Sequence, residues 1–367
     1  MHVMPFFLNT EKNRSGFPVL VALLSLCLYG CGPARPQVEK DMVWPLPPDE
    51  PKIKHVKNIY SEMDIQEGEK SILSLIWDFL IGKGEDSGNV LMRPYGITAD
   101  EDRIYVTDTD ATKVVIFDLV QKSVLRLGET RASYFTSPIG VALDKEGNIY
   151  VTDSLQNQVK VFNRQGEFLF QFGKTGSEEG ELSQPTGIAI NKELKEIYVL
   201  DTANSRIQVF GLKGEYFRQF GRKGKNDAEF AAAANIFIDN NGDIYASDTF
   251  NHRIQKFTQN GQFAGKFGEQ GDGPGYFARP RGIAVDSESN IYVVDALFNT
   301  VQIFNQKGEL LLYFGEKGAD RGQFVLPAGI FIDRKDKIYV VDSLNRRVQI
   351  FQFLGSKPKQ IPIEVTR

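Results

Sequence analysis

The chain of 367 residues carries 43 basic and 47 acidic side chains, which gives a formal net charge of −4. An acidic balance argues against nucleic acid as a partner, because binding to phosphates requires a basic face. The two cysteines, Cys27 and Cys31, lie near the N-terminus, so the rest of the chain can hold neither a disulfide framework nor a cysteine nucleophile. The three histidines, His2, His55 and His252, are too few for a cluster of histidine metal ligands.

The first 30 residues have the pattern of a secretory signal peptide. Lys12 and Arg14 precede an apolar run over residues 17–28, which is too short to span a bilayer comfortably. The run ends in Leu-Tyr-Gly-Cys, which resembles the lipobox of bacterial lipoproteins and implies cleavage before Cys31 and lipid attachment to its thiol. A plain secretory signal with an incidental cysteine is the alternative. Because Gly32 follows the cysteine, we expect a cell-envelope protein that is held at the outer membrane by its lipid anchor.

Residues 31–70 are predicted to be a lipid-anchored linker. Six prolines fall between residues 33 and 51, which makes this segment extended and semi-rigid. At about 3.1 Å per residue, its roughly 20 proline-rich residues reach about 60 Å. We expect the linker to hold the folded domain, residues 71–367, away from the lipid surface.

The folded region consists of six copies of one sequence unit. Each copy has an Asp that closes an Ile-Tyr-Val-like run, and successive Asp residues are 45 to 48 positions apart. A Phe follows each of these Asp residues by nine positions. The repeat Asp residues are Asp108, Asp153, Asp201, Asp248, Asp295 and Asp342. A period this regular indicates a repeat architecture in which each copy is one structural unit.

Copy five shows the internal pattern of the unit. Its runs at 280–286, 291–295, 301–304 and 310–315 are rich in β-branched and aromatic residues and are separated by Gly, Asn and Asp. Such runs predict four antiparallel strands, which we name a to d. A four-stranded unit of about 47 residues is a propeller blade rather than a helical repeat. The sequence therefore predicts an all-β, six-bladed β-propeller of four-stranded antiparallel blades.

Copy six lacks a recognisable strand d after Phe351, so the ring requires a strand from elsewhere in the chain. Residues 75–82 supply a matching pattern, because Gly82 precedes Pro94 by the same 12 positions that separate Gly and Pro in other copies. We therefore expect this N-terminal strand to pair with strand c of copy six and to close the ring. The tail at residues 361–365 is the alternative occupant of that place.

The repeat motifs resemble a known family. Pro-x-Gly-Ile/Val-Ala, then Ile-Tyr-Val-x-Asp, then Asn-x-Arg-Ile/Val-Gln-x-Phe look like the NHL repeat over residues 71–353, and copy four keeps Asn251 and His252 of the family signature. The whole chain is similar to bacterial six-bladed propeller lipoproteins. This resemblance implies the fold but no activity, because propellers host unrelated functions.

In a propeller whose strand a is innermost, the b–c turns and the d–a connections share one face. The position five residues after the repeat Asp is occupied by Lys113, Gln158, Arg206, Arg253, Thr300 and Arg347. We interpret the arginines of this set as structural, bonded to the repeat Asp or to a backbone carbonyl. Residues outside the pattern are better candidates for partner contact, and these are Phe250, His252, Phe298 and Arg346.

The residue inventory favours a binding scaffold over an enzyme. We interpret the repeat Asp residues as supports for the b–c hairpins rather than as metal ligands, and His252 is the one histidine of the predicted ring. Metal-dependent amidating lyases with NHL-like propellers need several histidines in the channel. Lactonase-type propeller enzymes need Glu, Asn and Asp at unequal positions on different blades, whereas the matching positions of this sequence are repetitive. We therefore expect a monomer without catalytic residues, metal or cofactor, which presents its loops to a protein or glycan partner in the envelope. The alternative is a metal-dependent lyase or hydrolase, or a small-ligand binder, that uses the central channel.

Overall fold

A computed structural model describes residues 41–66 and 90–355. The predicted signal peptide and lipidation site at Cys31, the predicted closing strand at 75–82 and the tail at 361–365 lie outside these ranges. The described residues contain no helix that is long and apolar enough to cross a membrane. Their regular structure is β, apart from single 3-10 turns at Glu62–Asp64 and Thr249–Asn251.

Apart from one short parallel pair in the loop between blades three and four, the strands of the described residues form six antiparallel sheets, and each of these sheets is one blade. The chain starts with β1 (Val43–Trp44) and β2 (Ile53–Ile59), which belong to blade six. Blade one contains β3 (Pro94–Ala99), β4 (Arg103–Asp108), β5 (Lys113–Asp118) and β6 (Ser123–Leu127). Blade two contains β7 (Pro138–Leu143), β8 (Ile149–Asp153), β9 (Gln158–Phe162) and β10 (Phe168–Phe172). Blade three contains β11 (Pro185–Asn191), β12 (Glu196–Asp201), β13 (Arg206–Gly211) and β14 (Tyr216–Phe220).

Blades three and four are joined by a loop with a short parallel pair, β15 (Arg222–Lys223) and β16 (Glu229–Phe230). Blade four contains β17 (Asn235–Ile238), β18 (Ile244–Asp248), β19 (Arg253–Phe257) and β20 (Phe263–Phe267). Blade five contains β21 (Pro280–Val285), β22 (Ile291–Asp295), β23 (Thr300–Phe304) and β24 (Leu310–Phe314). Blade six contains β25 (Pro327–Ile332), β26 (Lys337–Asp342) and β27 (Arg347–Phe353).

The first strand of each blade is innermost, and these strands contact one another around the ring in the order β3, β7, β11, β17, β21, β25 and back to β3. The six-bladed β-propeller predicted from the sequence is therefore confirmed. Because strand a is innermost, the b–c turns and the d–a loops lie on the same face, which we call the tip face.

The Pro-x-Gly motif shapes the start of the innermost strand. The register of β3 against β4 shifts between Pro94 and Ile97, and blades two, three, five and six have the same bulge. A Cβ on Gly96 would lie 2.2 Å from the carbonyl oxygen of Ile139 in the next blade. Only glycine permits so close an approach of neighbouring inner strands. Blade four lacks the motif, and its strand β17 pairs with β18 without a bulge.

The apolar core lies between blades rather than within them. Each buried cluster combines residues of two adjacent blades, for example Tyr105 of blade one with Val141 of blade two. Hydroxyl groups add bonds between blades: Thr107 Oγ1 donates to the carbonyl of Ile139 (2.7 Å). At the closure of the ring, Ser343 Oγ donates to the carbonyl of Pro94 in blade one (2.6 Å). The ring is therefore a continuous support for the loops of the tip face.

An N-terminal strand closes the ring, as the sequence predicted, but the predicted location of that strand was wrong. Strand d of blade six is β2, which pairs antiparallel with β27, so the place expected for residues 75–82 is already occupied. Strand β1 adds a fifth, outermost strand to this blade. The propeller sheet therefore includes part of the segment 31–70, which the sequence analysis placed in the linker.

Burial explains why β2 closes the ring. Ile53 and Ile59 are fully buried and His55 nearly so, which means that one face of β2 enters the core. The ring of Trp44 on β1 packs against that of Phe351 at 5.8 Å between centroids. Motif spacing pointed to a strand at residues 75–82, but spacing along the chain does not specify which strand pairs across the closure.

Candidate functional site

The repeat Asp residues form the base of the tip face. All six are fully buried. Asp108 accepts the backbone N–H groups of Met92 and Arg93 in the d–a loop, at 2.6 and 3.0 Å, and that of Ala111 in the b–c turn at 2.9 Å. Equivalent loop bonds reach Asp153, Asp201, Asp248, Asp295 and Asp342. These bonds confirm the interpretation of the repeat Asp residues as supports of the hairpins.

The repeat arginines are structural, as predicted. Arg253 Nε donates to Asp248 Oδ2 at 2.9 Å, and its two terminal nitrogens donate to backbone carbonyls of the d–a loop. In blades three and six, Arg206 and Arg347 likewise donate from Nε to the repeat Asp and from one terminal nitrogen to carbonyls of the d–a loop, and all three arginines are buried. Because buried charges are stable only when they are paired, these arginines are unavailable to a partner.

Blades one and two use different cations. Lys113 extends away from the repeat Asp to Glu129, with Nζ and Oε1 2.8 Å apart. In blade two, where the arginine position holds Gln158, Lys160 is buried beside Asp153 and donates to the carbonyl of Tyr134. Burial lowers the pKa of the Lys160 ammonium, and the charge of Asp153 opposes this effect. Its Nζ lies 4.7 Å from the centre of the Tyr134 ring.

Exposed apolar side chains recur at one position of the b–c turns. The residue two positions after the repeat Asp is large and apolar in four blades and is 49–62% exposed. These residues are Leu155, Phe250, Leu297 and Leu344. The d–a loops of the same face contribute Met92, Tyr134 and Tyr276, which are also exposed. We call this set of seven residues the apolar tip patch.

The four predicted partner-binding residues differ in their accessibility. Phe250 and Arg346 are exposed on the tips of blades four and six. His252 is half-buried, and its Nδ1 is buried without a hydrogen-bond partner among the described residues. Phe298 is also half-buried and forms part of a cavity wall. The prediction that these residues contact a partner stays a prediction.

The sequence analysis did not single out the leucines of the apolar tip patch. The signal was present, because Leu155, Leu297 and Leu344 stand at the same distance from the repeat Asp as Phe250. Their exposure, however, depends on the turn projecting away from the neighbouring blade, which a repeat pattern alone does not specify. An apolar residue at a fixed repeat position is ordinarily interpreted as core.

A small cavity opens on the tip face of blade five. Its volume is about 120 Å³. Its lining includes Asp272, Gly273, Phe298, Thr300, Gln302 and Tyr313, and we call it the blade-five socket. In blades three, four and six the residue equivalent to Thr300 is the repeat arginine.

A second feature lies at the mouth of the central channel. Arg281 and Tyr95 are each the second residue of an innermost strand, in blades five and one. The guanidinium carbon of Arg281 lies 5.5 Å from the centre of the Tyr95 ring, so the contact passes blade six and runs across the channel mouth. Burial lowers the pKa of Arg281, Tyr95 opposes this effect, and the nearby charges of Arg279 and Arg93 add to it. Among the described residues, Arg281 has no carboxylate partner in hydrogen-bonding or ion-pair contact.

Within residues 41–66 and 90–355, no group of three or more His, Cys, Asp or Glu side chains is placed to share a metal ion. The acidic side chains at the base of the tip face are occupied by hydrogen bonds to the loops described above.

Sequence comparison identifies the family. The family DUF5128, described as a 6-bladed beta-propeller, matches residues 123–213, 194–257, 244–299 and 287–363. The chain belongs to this family. These overlapping matches begin in blade one and continue through β27, so most of the DUF5128 propeller described above is covered by them.

Individual relatives are more distant. Protein brain tumor of Drosophila melanogaster is 34% identical over 63 residues, and Lactonase drp35 of Staphylococcus saprophyticus is 27% identical over 122 residues. These matches include 17% and 32% of this chain, and the chain spans only 6% and 35% of the two relatives. An auxiliary nutrient binding protein from Bacteroides thetaiotaomicron has a similar structure, with a TM-score of 0.57 at 14% identity over 73% of this chain and 71% of that one. At this identity the likeness concerns the fold alone.

Proposed function

We propose that this DUF5128 propeller is a non-catalytic binding protein of the bacterial cell envelope and that its partner binds the tip face. The observation that carries the proposal is the apolar tip patch, in which one repeat position supplies exposed apolar side chains from four blades. Exposed apolar patches on soluble domains are typical of interaction surfaces. The lipobox-like junction at Cys31 supports a lipid anchor at the outer membrane.

A protein surface fits this patch better than a glycan. Leu155, Leu297 and Leu344 offer aliphatic surface without hydrogen-bonding groups, and a hydroxyl-rich sugar would lose hydration against them. Phe250 and the exposed Arg346 are of residue types that are enriched in protein interfaces. A partner with an apolar surface would bury the leucines and gain about 25 cal/mol for each Å² of apolar area removed from water.

The site offers binding surface rather than reacting groups. The repeat Asp residues accept loop N–H groups, and the repeat arginines are paired with them. A general acid or base must be within reach of a substrate proton, whereas the repeat Asp carboxylates are buried below the loops and accept their N–H groups. Hydrogen bonds to the repeat Asp residues hold the backbone of the tip-face loops in place, which lowers the entropy cost of binding.

The proposal is tested with a triple variant of the patch and a matched control. Phe250→Ser, Leu297→Ser and Leu344→Ser together should abolish capture of a partner from solubilised envelope and leave the melting temperature nearly unchanged. The control variant carries Leu169→Ser, Phe217→Ser and Leu311→Ser, which alter equally exposed residues on the outermost strands of blades two, three and five. If the control loses the partner and the patch variant keeps it, the binding surface lies on the blade edges.

A second candidate function is the binding of a small anionic ligand at the channel mouth. It is favoured by Arg281, whose guanidinium faces the channel mouth next to Tyr95, with Arg279 and Arg93 nearby. Arginine binds carboxylates and phosphates through two parallel hydrogen bonds. Isothermal titration with citrate and phosphate should detect binding that Arg281→Gln removes, and equal binding by this variant would exclude the site.

A further inference from the structure

Blade five departs from its neighbours at two adjacent tip positions. In blades three, four and six, the residues three and five positions after the repeat Asp are Asn and Arg. In blade five these positions hold Phe298 and Thr300. Phe298 has no hydrogen-bonding side chain, and Thr300 has a single hydroxyl group and no positive charge. The blade-five socket opens at this place.

The groups that line the socket are equivalent to the groups that contact the repeat arginine in other blades. Arg253 donates to the carbonyl of Asn226 at 2.8 Å. The equivalent carbonyl in blade five is that of Gly273, because the two loops have the same register. Ala228 in blade four donates its backbone N–H to Gln255, and Gly275 in blade five donates its own to Gln302. In blade five this carbonyl accepts the backbone N–H of Tyr276 (3.1 Å) and has no side-chain donor among the described residues.

The outer wall of the socket can be matched to blade three in the same way. Arg206 donates to Gln219 Oε1 at 2.6 Å, and Gln219 lies opposite Gln208 in the pairing of β13 with β14. In blade five Tyr313 lies opposite Gln302, at the equivalent register. The socket thus has two aromatic walls. Phe298 stands where blades three, four and six have an Asn, and Tyr313 stands where blades three and six have the amides Gln219 and Asn58 and blade four has Lys266. Guanidinium groups stack on aromatic faces.

The repeat Asp of blade five also lacks a basic partner among the described residues. Asp295 is fully buried, and it accepts backbone N–H groups of the d–a loop and the b–c turn. Among the described residues, no basic side chain forms a hydrogen bond or ion pair with it, in contrast to Asp201, Asp248 and Asp342. The carboxylate of Asp272 adds a second negative charge to the socket lining.

We propose that the blade-five socket binds the guanidinium group of an arginine that does not belong to this chain. The incoming guanidinium would lie between Phe298 and Tyr313, donate to the carbonyl of Gly273 and offset the negative charge of Asp295 and Asp272. It takes the place that the repeat arginine fills in three other blades. The inference rests on the proposed function in one respect, because it specifies one chemical group of the partner that binds the tip face.

The guanidinium can come from a free guanidino compound or from an arginine of a protein partner. Isothermal titration with N-acetyl-argininamide and with the peptide acetyl-Gly-Arg-Gly-amide separates these sources. Binding of the small amide equal to that of the peptide indicates a free ligand, and tighter binding of the peptide indicates a protein arginine. Peptides with citrulline or lysine in place of arginine are the controls. We expect the citrulline peptide to bind at least about tenfold more weakly, equal to about 1.4 kcal/mol, because it has the shape of arginine without the charge.

A variant that rebuilds the repeat provides the second arm. Phe298→Asn with Thr300→Arg restores the Asn and Arg of blades three, four and six and should fill the socket from within. We expect this variant to melt at a higher temperature than the parent protein and no longer to bind the arginine probes. Gln158→Arg is the matched control. It adds an arginine at the same repeat position in blade two, where Lys160 already supplies the charge, and should leave probe binding unchanged.

Each outcome is decisive for the socket. The proposal is overturned if the parent protein binds neither arginine probe, if it binds the citrulline peptide equally well, or if the rebuilt variant binds as the parent does. If the probes fail while the patch variant of Phe250, Leu297 and Leu344 still loses its partner, the proposed function stands and the socket assignment alone is wrong.

Discussion

Closure of the ring by β2 can be tested by comparing two positions on the same strand. Ile53 is fully buried in the cluster that contains Phe351 and Phe353, whereas Val56 is 47% exposed. Truncation of a buried Ile to Ala removes apolar contacts and leaves a cavity, at a cost of about 2–5 kcal/mol. The pairing partner of β2 is β27, the last strand of the propeller in the sequence, so this loss should weaken the whole ring. We expect Ile53→Ala to lower the free energy of unfolding by about 3 kcal/mol and Val56→Ala by less than about 1 kcal/mol.

Urea denaturation followed by tryptophan fluorescence measures both variants. Trp44 reports on the closure directly, because its ring packs against Phe351. Equal costs for Ile53→Ala and Val56→Ala would refute the assignment of β2 as the closing strand. A large cost for Phe79→Ala combined with a small cost for Ile53→Ala would support the placement at residues 75–82 that motif spacing had predicted.

Three further predictions concern the closing strand, the repeat charges and the anchor. Burial lowers the pKa of His55 below 6.5, so the folded state binds fewer protons than the unfolded state, and the free energy of unfolding should fall as the pH drops below about 6.5. His55→Phe should reduce this pH dependence in urea titrations, and an unchanged pH profile would contradict the prediction. Arg347→Met leaves Asp342 buried and unpaired and should cost about 3–5 kcal/mol, whereas the control Arg346→Met, at an exposed position, should be nearly neutral; similar costs would argue against the ion pair. Cys31→Ser should leave the precursor uncleaved by lipoprotein signal peptidase and unlabelled by palmitate, and normal processing of this variant would refute the lipobox.

The features that the sequence predicted correctly are those that repeat. The spacing of Asp108 and its equivalents predicted the blades, because each blade solves the same packing problem with the same residues. The structural interpretation of Arg206, Arg253 and Arg347 followed from the same regularity and is confirmed by their bonds to the repeat Asp residues. In each case the interacting groups are close along the chain, so the local pattern contains the contact.

The closing strand was misplaced because its pairing is not local. His55 and its pairing partner Phe351 lie nearly 300 positions apart in the sequence, and no repeat spacing relates them. Strand β2 reads Ile-Lys-His-Val-Lys-Asn-Ile, which has polar residues and follows a proline-rich segment, so composition indicated a linker. Its burial depends on the position of β27, which is known only once the ring has formed.

The candidate site was partly visible in the sequence. The sequence analysis singled out Phe250 and Phe298, and the structure places the first on the apolar tip patch, at a position that recurs in four blades, and the second in the wall of the blade-five socket. The socket itself could not be derived, because it requires Tyr313 on β24 and Gly273 in a loop to meet Thr300 across the blade.

Site-specific photo-crosslinking in intact cells tests most directly whether the tip face is the binding face. A photoreactive phenylalanine analogue placed at Phe250 lies on the apolar tip patch, and the same analogue at Phe217 lies on the outermost strand of blade three with similar exposure. We predict one discrete covalent adduct from position 250 and none from position 217. An adduct from position 217 with none from position 250 would contradict the account.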